Sequence, residues 1–61
     1  TAKCLKAREK FTSARKKVSQ LRRDLRKARS DAAKAKIRNR LDAAVKKRAQ
    51  SAAALGKACN G

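Results

Sequence analysis

Two cysteines and twenty basic side chains are what this 61-residue chain has to do chemistry with. Cys4 and Cys59 stand near opposite ends, and two thiols permit one intramolecular pairing. Oxidation would close a loop of about 55 residues and add on the order of 4 kcal/mol by restricting the unfolded chain. A lone, distant pair on a small basic chain points to an oxidising compartment, and so to secretion into the extracellular space. Other chemistries are excluded by composition. There is no histidine, two cysteines this far apart do not make a zinc site, and no glycine-rich phosphate loop occurs. The serines and threonines have no base partner, and a general acid or base needs a desolvated, paired setting that so thin a chain does not build. No catalytic residue, cofactor or metal is expected, and the chain does not read as an enzyme.

The basic side chains are the stronger functional signal. Twenty Lys and Arg against four Asp and Glu leave a net charge of +16, with a pI of about 11.5. Such a chain repels itself and seeks polyanions. The charge is unevenly spread: fifteen basic and three acidic residues fall between Arg15 and Arg48, a net of +12. The residues expected to contact anions are Arg22, Arg23, Arg26, Lys27, Arg29, Lys34, Lys36, Arg38 and Arg40. The carboxylates look structural. Asp42 lies four residues from Arg38 and Lys46, Asp24 three from Lys27 and Glu9 three from Lys6, spacings that suit local ion pairs on a helix.

The elements that must position these groups follow from the apolar pattern. Cys4, Phe11, Val18, Leu25 and Ala32 recur every seven residues, as do Ala7, Ala14, Leu21, Ala28 and Ala35. Continued further, that register would bring Asn39, Asp42 and Lys46 to the seam. A shifted one recovers Ile37, Leu41, Val45, Ala52, Leu55 and Cys59. One break in phase separates two amphipathic helices. The chain has no proline, no glycine before Gly56 and fourteen alanines, a composition that favours helix nearly throughout.

Pairing Cys4 with Cys59 in an antiparallel hairpin makes facing residue numbers sum to about 63. Phe11 then meets Ala52, Ala14 meets Ala49, Val18 meets Val45, Leu21 meets Leu41, Leu25 meets Ile37 and Ala28 meets Ala35. The expected fold is all-α: one hairpin domain over residues 1–61, with helices of about 3–29 and 31–58 and a turn near Arg29–Ala32. Its seam would be alanine-rich and coiled-coil-like, closed by a Cys4–Cys59 disulfide. Ser30 or Asp31 would cap the second helix, while the first lacks the glycine that often ends a helix. The rival is one long helix paired antiparallel with a second copy, each Cys4 meeting the partner's Cys59.

The layout is similar in outline to disulfide-stapled helical-hairpin defence peptides, the α-hairpinins of plants among them. Those peptides carry two CxxxC motifs and two bridges, whereas Cys4 and Cys59 stand alone here, so no functional residue carries over.

These readings converge on a secreted cationic hairpin that binds anionic lipid or cell-envelope polymers, as an antimicrobial or membrane-active peptide. Alternatives are non-specific, phosphate-driven binding of nucleic acid and a toxin that presents its basic surface to an acidic receptor or channel. No leader-like segment precedes the hairpin, so the chain reads as a processed product or one never targeted. Ala52, Ala53 and Ala54 offer a small-residue surface for weak self-association.

Overall fold

In a computed structural model, whose described residues are Thr1–Asn60, the chain is two helices, α1 (Ala2–Lys27) and α2 (Asp31–Asn60), packed against each other. The backbone measures 45 × 14 × 10 Å along its principal axes, a rod two helices wide. The bridge is intramolecular: Cys4 and Cys59 are joined with their Cα atoms 4.8 Å apart. The long-helix alternative is therefore not the structure.

Each helix start is secured by a hydroxyl. The Thr1 side chain accepts from the Cys4 amide at 3.3 Å, and the Ser30 side chain accepts from the Ala33 amide at 3.1 Å. Ser30 is thus the cap of α2, its own carbonyl accepting from the Lys34 amide at 3.0 Å. Asp31 stands in the first turn, where its charge faces the positive end of the helix dipole, and Arg26 and Lys27 occupy the last turn of α1, where basic charge is favoured.

The reversal is tighter, and begins earlier, than a first helix running to Arg29 would allow. α1 stops at Lys27, and Ala28 turns out of it in an extended conformation (φ −66°, ψ 135°). The Ala28 amide still bonds to the carbonyls of Asp24 (2.9 Å) and Leu25 (3.3 Å). Among the described residues none has a positive φ, and that resolves the missing glycine. Leaving the helix through the extended region is open to any L-residue, so no left-handed residue is needed. Three residues, Ala28–Ser30, make the link.

The core lies in the middle of the rod. Val18, Leu21 and Ala44 are buried, and Ile37, Leu41 and Val45 pack against them. Along α1 the seam is the expected one: Cys4, Ala7, Phe11, Ala14, Leu25 and Ala28 are all partly buried. Along α2 it is not. The seam runs through Ile37, Leu41, Ala44 with Val45, Arg48, Ser51, Leu55 and Ala58, whereas Ala35, Ala49, Ala52 and Cys59 are exposed. The pairings Phe11 with Ala52, Ala14 with Ala49 and Ala28 with Ala35 are therefore replaced, Ala33 and Lys34 being half-buried near the link in place of Ala35.

The reason is geometric. Steps of four and three residues in alternation keep a stripe on one side of a helix. Choosing the most apolar residue of each turn leads from Leu41 to Val45 to Ala52 and pulls the stripe around the cylinder. The aliphatic stem of Arg48 can lie along the seam with its guanidinium in water, and Ser51 is small enough to be half-buried between the helices.

Candidate polyanion-binding surface

The link and the first turns on either side of it hold the nine expected anion-contacting residues. On α1 lie Arg22, Arg23, Arg26 and Lys27, all exposed; Arg29 is exposed within the link; on α2 lie Lys36, Arg38 and Arg40, exposed, and Lys34, half-buried. A helix turns by 100° per residue, so this set does not share one face. It forms a collar around the turn half of the rod. The fold brings the residues together along the long axis by folding the two arms back at Ala28–Ser30, and it spreads them around the circumference.

The acidic residues within the collar are engaged with the helices themselves. The Asp24 carboxylate, for which Lys27 was the expected partner, accepts from Gln20 Nε2 at 3.2 Å, one turn earlier. Asp31 belongs to the start of α2. Their placement stabilises local structure and leaves a collar in which every basic side chain but the half-buried Lys34 is exposed, where each phosphate or carboxylate contact releases counterions.

Towards the bridge the surface changes. Residues 1–14 and 49–61 together carry Lys3, Lys6, Arg8, Lys10 and Lys57 against Glu9. Leu5, at 58 % relative exposure, is the one large apolar side chain that stands out among the described residues. Nearby, the Arg15 guanidinium lies over the Phe11 ring, 5.7 Å from its centre, covering the chain's single aromatic group. Sequence spacing places these two residues one turn apart but does not say that the arginine folds back over the ring, and Arg48 at the seam was likewise missed. An apolar-pattern search passes over arginine because it scores the charged head and ignores the stem.

Neither helix is long and apolar enough to cross a membrane. Among the described residues, no three or more His, Cys, Asp or Glu are grouped so as to hold a metal ion. No known protein family matches the chain, and comparison with curated proteins and with solved structures found no similar protein.

Proposed function

We propose that the chain is an exported cationic hairpin that adsorbs to anionic membranes or cell-envelope polymers through its turn half, in an antimicrobial or membrane-active role. The observation that carries this reading is the exposed collar from Arg22 to Arg40, within a stretch of net charge +12. Lysines and arginines near an anionic bilayer are worth about 1 kcal/mol each, so a collar of this size is sufficient for binding without insertion.

The packing also supports adsorption over immediate insertion. The apolar stripes are used against each other, with Val18 2 % exposed. The arms are covalently joined at both ends, by Ala28–Ser30 and by Cys4–Cys59. They can bow apart over a bilayer but cannot swing open, which keeps any exposure of the seam local.

The test is binding and dye release with anionic and zwitterionic vesicles across a range of salt. Preference for the anionic vesicles, fading as salt screens the charges, is the expected result. Replacing Arg22, Arg26 and Arg38 together by Gln should weaken binding about 100-fold, and replacing Lys3, Lys6 and Lys57 by Gln should weaken it less. Equal indifference to both vesicle types would remove the proposal.

Non-specific nucleic-acid binding is the second reading. It is favoured by the scarcity of exposed large apolar side chains, Leu5 alone among the described residues. Duplex affinity would then fall with a logarithmic salt slope of about 0.9 per phosphate contacted. Undetectable duplex binding at low ionic strength would eliminate it.

A further inference from the structure

One side of the rod carries a trough between the helices that the collar does not account for. Three neighbouring concavities share Gln50, and two of them also share Ala14, Lys17 and Lys47. Together they extend from Lys3 and Ala58 near the bridge to Lys17 and Arg40. The floor is made of small side chains, Ala7, Ala14, Ala44 and Ala58 among them, with Ser51.

The rims are basic, with Lys6 and Lys46 among their residues, and five of the seven basic side chains are evenly spaced. Lys3, Lys10 and Lys17 line the α1 side at seven-residue intervals, and Arg40 and Lys47 line the α2 side at the same interval. All five are exposed. Glu9 is the single acidic residue along the trough.

Seven helical residues rise about 10.5 Å. A duplex strand offers a phosphate about every 3.4 Å of axis, so every third phosphate meets that spacing, but a phosphate strand leaves the small apolar floor unfilled, and a lipid surface has no fixed period. A helix with carboxylates repeating every seven residues on both flanks of a small apolar stripe is matched on both rims. Flanking charges of this kind set partner choice in helical bundles, and an alanine floor lets a third backbone approach closely. We infer that this trough is a docking groove for an acidic amphipathic helix, which would lie in it as a third strand. The inference goes beyond the polyanion reading, because it requires a partner with helical periodicity as well as negative charge.

The experiment uses the oxidised chain and a synthetic peptide of about three heptads, with Ala and Leu on its seam and Glu on both flanks. A scrambled peptide of identical composition and a duplex oligonucleotide are the comparison probes. The heptad peptide should bind at least ten times tighter than the scrambled one and should gain helicity on binding. The triple substitution Lys10→Glu, Lys17→Glu and Lys47→Glu should abolish that preference.

An equal charge change on the other side of α1, Arg8→Glu, Arg15→Glu and Lys16→Glu, should leave it within about threefold. Arg15 and Lys16 line a separate surface with Thr12, whose hydroxyl bonds the Arg8 carbonyl. If charge reversal lowers helicity, the neutral set Lys10→Gln, Lys17→Gln and Lys47→Gln replaces it, with a partial loss expected. Equal affinity for the two peptides overturns the inference, as does equal loss in the two charge-reversed variants. Duplex binding weakened by the trough substitutions while the peptides remain undiscriminated would assign the groove to polyanions at large and overturn it too. Vesicle binding is read separately, so this inference and the proposed membrane role can fail independently.

Discussion

The two halves of the rod are held together by different means. The turn half, Arg15 to Arg48, carries a net charge of +12 and also the three buried residues, Val18, Leu21 and Ala44. The bridge half carries about a third of that net charge and none of the buried residues. Its seam is Ala7, Phe11, Ala14, Ser51, Leu55, Gly56 and Ala58, each only partly buried. Large aliphatic side chains thus stand where self-repulsion is greatest. Where the seam is too small-grained to hold two helices by burial, a covalent bond does so. A second contrast follows: the turn half shows its charge as a collar around the rod, while the bridge half contributes most of a one-sided trough.

Reduction of Cys4–Cys59 is expected to have the largest effect, a loss of about 4 kcal/mol, and it should not be felt evenly. Amide exchange should rise first in residues 5–14 and 50–58, while residues 18–25 and 37–45 stay protected longer. A uniform loss of protection would break the contrast between the halves, and an unchanged melting curve would make the bridge dispensable.

The next effect sharpens the same contrast from the other side. Leu21→Ala should cost about 3 kcal/mol and Leu55→Ala about 1 kcal/mol, because the first empties a buried site and the second a half-exposed one. Urea denaturation of the oxidised variants measures both. Equal losses would mean that the bridge half is packed as tightly as the turn half.

Ser30→Ala should cost about 1 kcal/mol by leaving the Ala33 amide without its cap, and Ser30→Gly only a few tenths. Thermal denaturation checks this. Equal destabilisation by the two would place the role of Ser30 elsewhere than in the cap.

The smallest expected effect is that of Arg15→Gln. Loss of the contact with the Phe11 ring should cost about 0.5 kcal/mol, visible as a small fall in melting temperature that persists at high salt more than a surface ion pair would.

Much of the fold is legible in the sequence. Cys4, Phe11, Val18 and Leu25 repeat every seven residues, a signal no strand or loop would carry, and it located the seam of α1 correctly. Ser30 was one of two residues chosen for the α2 cap, and the structure selects it. The seam of α2 was harder to read, because alanines on all sides blur the periodic signal and the residues that break it, Arg48 and Ser51, are polar by name. Of the candidate surface, the sequence gives which residues are basic and that they cluster between Arg22 and Arg40. Their distribution around the rod was not legible, since that depends on where Ala28 leaves the helix.

What the sequence by itself determined is therefore one-dimensional: two helices, a single pairing of thiols, and a stretch of the chain that carries most of the charge. Each depends on neighbours a few residues apart or on a count, so no partner element is needed to read it. Only the tertiary structure decided how α2 is rotated against α1, which put Arg48 and Ser51 at the seam and Ala49 and Ala52 in water. That rotation also aligned Lys10 and Lys17 with Lys47 across one trough. A helix carries its own periodicity in its sequence, but its angle to a neighbour is a property of the pair, set by packing and by closure at both ends.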